Sequence, residues 1–213
     1  MKIIISRQTP RWLRAIRYIL FVIGFVAFAY VGLTLLDARL YQASAKSSLE
    51  RQIQMEPVRN RSEPRPAVKM GDVLGRLDIP RLGLSVAISQ GTTSRILRLG
   101  AGHIIGTPLP GEAGNSVIAA HRDTFFRELK DVHSNDEIQI QTAAGLFRYQ
   151  VDWVKIVSPD DAAVLGPSTE ATLTLITCYP FYFVGPAPKR FVVHARAGNA
   201  GTDGSDPNSF LRR

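Results

Sequence analysis

The sequence predicts an all-β domain, a closed barrel or a sandwich with one or two short helices, carried behind a single membrane-spanning helix. Three observations predict it. From Gly71 onward the chain runs in short apolar stretches broken by Gly, Pro, Asn and Asp, the pattern of strands joined by turns. Several stretches alternate apolar and polar residues, the period of a strand with one buried face. And the nineteen residues Tyr18 to Leu36, "YILFVIGFVAFAYVGLTLL", contain no charge.

Each element has its own local reason. "DVLGRLDI" and "LSVAIS" flank "PRLG", two strands around a Pro-Gly turn. "TTSRILRLG" suits a short helix capped by Thr92 or Thr93, since a threonine hydroxyl accepts from a first-turn N–H. "NSVIAA" reads as a buried strand. "RDTFFRELKDV" reads as a short helix with Asp123 as cap and Phe125, Phe126 and Leu129 on its apolar face. "DEIQIQT" and "GLFRYQVDWVKIV" alternate, and "ATLTLIT" and "RFVVHA" complete the set of strands. "SPDDAAV" reads as a capped helical turn. The absence of long helical patterns between strands argues against a parallel α/β sheet.

Charge divides the chain. The formal net charge is +8, yet residues 71–213 hold fourteen basic and fourteen acidic residues, so the excess lies ahead of the folded part. A nucleic-acid surface should carry its basic residues on the fold, so no nucleic-acid partner is expected. Lys2, Arg7, Arg11, Arg14 and Arg17 instead precede the apolar run, which places residues 1–17 in the cytoplasm and the rest outside it. As a helix, nineteen residues span about 28 Å, close to the thickness of the hydrocarbon layer. "ASA" at 43–45 resembles a signal-peptide cleavage site. The apolar run exceeds the usual signal core, however, and "DARLYQ" separates it from that site, so residues 18–36 are read as a retained single-pass anchor. Residues 37–70 begin as a possible exposed helix and end in a proline-rich, charged stretch. They are read as a stalk. The folded domain is assigned to 71–197, and 198–213, poor in apolar residues, to a disordered tail.

Cys178 is the one cysteine in 213 residues. Outside the cytoplasm cysteines usually pair, so a lone one is either an inert core side chain or a reactive thiol. Cys178 directly follows "LTLIT", and His121 directly follows "SVIAA". Both stand where a buried strand emerges, held by a rigid element yet able to reach a cleft. Arg190 opens the next strand, and if that strand lies beside the one ending at Cys178 the guanidinium can approach the thiol. The three together suit acyl transfer. An imidazole can activate a thiol and later protonate a leaving amine. A guanidinium, always charged and planar, can stabilise the oxyanion.

Three motifs carry a family resemblance. "TLITC" at 174–178 matches the TLxTC signature of sortases, the membrane-anchored cysteine transpeptidases. "HRDTFF" at 121–126 resembles the surroundings of their catalytic histidine, and "PKRF" at 188–191 the segment with their catalytic arginine. The order His, Cys, Arg and the N-terminal anchor agree, and the short connection "CYPFYFVGPAPKRF" most resembles class D. The resemblance covers residues 71–197. It implies a closed eight-stranded β-barrel and a defined reaction, in which Cys178 attacks the threonine carbonyl of an LPxTG-like motif on a secreted protein. His121 would be the acid and base, Arg190 the oxyanion or positioning residue, and Thr177 a substrate contact. An amine from cell-wall peptide or a pilin-type subunit would then accept the acyl group. His103, His133 and His194 fall on no catalytic motif. No cofactor is implied. The acids Glu112, Asp123, Asp160 and Asp161 are scattered, so no metal is expected. Two other readings remain at this stage: a tethered β-barrel binding module with an inert core cysteine, and a thiol hydrolase that passes the acyl group to water.

Overall fold

The computed structural model describes residues 11–55, 68–183 and 185–198. The basic residues before Arg11, residues 56–67 of the expected stalk and the expected tail from residue 199 lie outside them. By internal contacts the chain forms two units, residues 1–40 and 41–213.

The first unit is helical throughout its described residues, as the start of α1 (Arg11–Met55). Its apolar side chains are exposed, Phe25 and Phe28 among them. Among the described residues this is the one helix long and apolar enough to cross a membrane.

The second unit is a closed barrel. In chain order its strands are β1 (Val73–Ile79), β2 (Leu84–Gln90), β3 (Ala101–His103), β4 (Gly114–Ala119), β5 (Glu137–Thr142), β6 (Gly145–Val157), β7 (Ala171–Tyr179) and β8 (Lys189–Ala197). Around the barrel they run β1-β2-β3-β4-β7-β8-β6-β5, and β5 pairs with β1 to close it. Closure leaves no sheet edge to protect. It also excludes the sandwich. The β2–β3 and β4–β7 pairs are parallel and the others antiparallel.

Period-two alternation fills the interior. Leu77 and Ile79, Ile138 and Ile140, Leu173 and Leu175 are fully buried in one core with Phe126 and Leu129. Each contributes roughly 1.5–3 kcal/mol relative to an exposed side chain. Gly75 admits the approach of β5, because a Cβ there would run into the Gln141 carbonyl. The "PRLG" turn is a 3₁₀ turn at Pro80–Leu82 ended by Gly83 at φ 63°, a left-handed conformation that glycine adopts without a Cβ penalty. α2 (Ser94–Leu99) is capped by Thr93, whose hydroxyl accepts from the Ile96 N–H at 3.4 Å.

Three local features differ from the sequence reading. β3, only "AGH", was not among the expected strands. The helix expected from Arg122 is a run of turns followed by a 3₁₀ turn at Arg127–Asp131, and no side chain, Asp123 included, caps it. Phe126 and Leu129 still bury, while Phe125 is only partly buried. Finally, residues 41–49 pack on the barrel rather than standing free. The Tyr41 hydroxyl meets Ser89 Oγ at 2.7 Å, Gln42 donates to the Leu99 carbonyl at 2.5 Å and accepts from the Ala87 N–H at 2.8 Å, and Ala45 and Leu49 are buried. Gln42 thus satisfies a backbone donor of β2, a group that would cost free energy if buried unpaired.

Candidate active site

β4, β7 and β8 lie side by side, with β7 in the middle. On β7, Leu173 and Leu175 point into the core and Thr177 is also buried, so alternation turns Thr172, Thr174, Ile176 and Cys178 to the outer face. On β8, Phe191, Val193 and Ala195 point inward, which turns Arg190 and His194 outward. Cys178 and Arg190 are direct cross-strand partners. Such partners share a face with Cβ atoms about 4.5–5.5 Å apart.

His121 follows from the other neighbour. β4 runs parallel to β7 with Ala119 level with Ile176. Two bonds continue that register past the strand end: Ala120 N–H donates to the Ile176 carbonyl at 3.3 Å, and Thr177 Oγ1 donates to the Ala120 carbonyl at 2.7 Å. His121 follows two residues after the end of β4 (Gly114–Ala119), directly after the Ala120 that these bonds tie to β7. His121 is exposed, and Cys178 and Arg190 are half-buried.

Of the three residues that the sequence singled out, Cys178 and Arg190 are thus paired across β7 and β8, and His121 follows the end of β4, the other neighbour of β7. Arg190 folds back toward its own loop, donating through Nη1 to the carbonyls of Ala187 at 3.3 Å and Lys189 at 3.1 Å. Thr177 sits differently from the other three. It is 2% exposed and its hydroxyl is committed to Ala120, so it ties β7 to the residue before His121.

The same outer face continues away from Cys178. Asn115 accepts from Thr174 Oγ1 at 2.7 Å and donates to the carbonyls of Val164 and Gly166 at 3.3 and 3.2 Å. It thereby holds the β6–β7 connection over the strands. A cavity of about 270 Å³ lies there, lined by Asn115, Trp153, Thr172, His194 and residues 163–164 and 166–168. The 3₁₀ turn at Ala162–Leu165 in that connection is capped by Asp161, as "SPDDAAV" suggested.

The other histidines have partners elsewhere in the barrel. His103 is buried on β3, with Nδ1 2.8 Å from Gln90 Oε1 and Nε2 2.9 Å from the Pro108 carbonyl. Burial lowers its pKa, against a smaller raising effect of that carbonyl. His194 stacks on Trp153, ring centroids 4.9 Å apart, and burial lowers its pKa too, partly offset by Asp152. His133 lies 3.0 Å from Arg81, within a turn that Arg81 and Asp136 pin together. Among the described residues no group of three His, Cys, Asp or Glu could hold a metal ion.

Arg122 lies within "HRDTFF" but was not singled out from the sequence. Arg122 donates through Nη2 to the carbonyls of Phe183 at 2.7 Å and Gly185 at 3.1 Å. A charged residue in a turn ordinarily reads as solvated surface, and its partners lie about sixty residues away in the chain.

Known proteins share this fold. A family profile described as the sortase domain matches residues 77–197. The chain is 31% identical over 164 residues to Sortase D of Bacillus subtilis (strain 168), covering 76% of this chain and 82% of that protein. A Clostridium perfringens Sortase D5 transpeptidase superimposes with a TM-score of 0.61 at 27% identity, covering 75% of this chain and 97% of that one. Clostridium perfringens sortase C, solved with the C-terminal cell wall sorting motif, superimposes with a TM-score of 0.58 at 26% identity, covering 75% and 88%. The chain belongs to the sortase family, the cysteine transpeptidases, with class D sortases among its relatives.

Proposed function

We propose that Cys178, His121 and Arg190 are the catalytic residues, and that the chain cleaves an LPxTG-like sorting motif and passes the acyl fragment to an amine at the cell surface. The observation that supports this is the pairing of Cys178 directly opposite Arg190, with His121 just past the end of the strand on the other side of β7.

The steps follow from the groups present. His121 takes the proton from the Cys178 thiol as Sγ attacks the threonine carbonyl carbon, forming an S–C bond and an oxyanion. Arg190 turns its guanidinium to that oxyanion, where a planar charged donor is most effective. His121 then gives its proton to the departing nitrogen, the C–N bond breaks and a thioester remains. The acceptor amine attacks the thioester, loses a proton to His121 and frees the sulfur. A related sortase C, solved with the C-terminal cell wall sorting motif, supports this substrate class. Thr177 acts by holding the end of β7 against Ala120.

Tyr18–Leu36 anchors the chain as a single pass, with the basic N-terminal residues in the cytoplasm and the barrel outside. Incubation of the chain with a sorting peptide, with and without an amine such as triglycine, tests the reaction. The amine-bearing ligation product should form with the wild type and not with Cys178→Ala. A product whose yield and identity ignore the amine would remove transfer from the account.

A further inference from the structure

Two ties straddle His121. On its N-terminal side the Ala120 carbonyl is held by the Thr177 hydroxyl of β7. On its C-terminal side Arg122 reaches the connection between β7 and β8, donating to Phe183 and Gly185. That connection joins Cys178 to Arg190. The Arg122 guanidinium also lies 5.8 Å from the centroid of the Phe183 ring.

This is not the geometry of a solvated surface arginine. Arg122 Nη1 is shut from solvent and has no hydrogen-bond partner among the described residues. The two bonds to the Phe183 and Gly185 carbonyls come from a charged donor, the stronger kind of hydrogen bond, and tie the guanidinium to the β7–β8 connection.

We propose that Arg122 is a positioning residue for the transfer reaction: bonded to the Phe183 and Gly185 carbonyls, it closes a clamp with the Thr177–Ala120 tie that keeps His121 in register with Cys178 and Arg190. The inference rests on the catalytic roles proposed above. Its physical basis is that a displacement of about 1 Å in a catalytic group can cost up to a hundredfold in rate. Arg122 binds no substrate in this account, so its loss acts on kcat rather than on KM.

The test uses the full chain in detergent micelles and two readouts. With a sorting peptide and an amine, Arg122→Ala should lower kcat about tenfold or more with KM within about twofold. Arg122→Lys, which keeps the charge and can reach one carbonyl, should recover part of the loss. The second readout needs no substrate. The rate of Cys178 alkylation by iodoacetamide is followed against pH in the wild type, His121→Ala and Arg122→Ala. An imidazole beside a thiol shapes its titration, so Arg122→Ala should move the profile toward that of His121→Ala while circular dichroism stays unchanged. An Arg122→Ala profile superimposable on the wild type, a loss confined to KM, or a profile indifferent to His121→Ala would overturn the clamp. If the wild type turns over no sorting peptide, the proposed reaction fails, and the alkylation profiles still decide the clamp.

Discussion

Cys178 and Arg190 form a registered cross-strand pair at the open end of β7 and β8. The ladder between the strands sets the separation of their backbones. The Arg190 guanidinium, which donates to the Ala187 and Lys189 carbonyls, has to turn from its own loop to serve an oxyanion formed at sulfur.

Arg190→Lys separates that role from simple charge. Lysine keeps the charge and loses the fork of donors. We expect kcat/KM for peptide transfer to fall about 10²-fold, the usual cost of one oxyanion donor, with thermal stability unchanged. Steady-state kinetics beside a melting curve check it. A variant with near-normal turnover would mean the guanidinium is only a surface group.

Thr177→Val keeps the shape and removes the bond to Ala120. The Ala120 carbonyl would be left unpaired beside a buried side chain, at a cost of about 1–3 kcal/mol. In a domain of this size that lowers Tm by roughly 2–4 °C per kcal/mol. Thr177→Ser keeps the hydroxyl and should restore most of kcat. Melting curves together with kinetics on the three proteins check both halves of the prediction.

The end of α1 belongs energetically to the barrel. A chain that starts at residue 68 lacks Tyr41, Gln42, Ala45 and Leu49. Leu49 alone, 4% exposed, accounts for roughly 1.5–3 kcal/mol. Beside a chain that starts at residue 41, the shorter one should melt at least about 4 °C lower. Differential scanning calorimetry on the two checks it, and equal melting temperatures would show that the packing carries no stability.

The pH dependence of folding should come from His103 and His194. Burial lowers both pKa values in the fold, while in the unfolded chain both take up a proton near pH 6.5. The unfolded state then binds more protons as pH falls through that value, so stability declines from about pH 7 downward. Asp136 also favours the fold through a lowered pKa, chiefly from its bond to Arg81. Its contribution is present above the ordinary carboxylate value of about 4 and is lost only below it. Urea titrations at pH 7.5, 6.5 and 5.5 should show the decline, and His194→Gln should flatten it. A stability that rises on acidification over this range would contradict the assignment.

The closed eight-stranded barrel implied by the family resemblance is the fold observed. Strong alternation delimited β6 to its observed bounds, Gly145 to Val157. Cys178, His121 and Arg190 stood out because each adjoins the end of an apolar run, where composition changes abruptly, and the pairing of Cys178 with Arg190 is observed. The order of strands was not legible, since closure through β1 and β5 and the parallel pairing of β4 with β7 join segments far apart in the chain. β3 escaped because three residues are too few to show a period. The turns after His121 looked helical because Phe126 and Leu129 keep helix-like spacing, yet both face one core from a 3₁₀ arrangement. Thr177 was read as a ligand contact from its motif. Its inward orientation depends on strand phase, and its bond to Ala120 needs a neighbour that the sequence does not show.

The most direct measurement is peptide mapping by mass spectrometry after incubation of the chain with a sorting peptide and no amine. The account predicts an acyl adduct, the peptide up to its threonine, on the Cys178 peptide, which disappears when an amine is added. Cleavage that persists in Cys178→Ala, or an acyl group on any other residue, would contradict it.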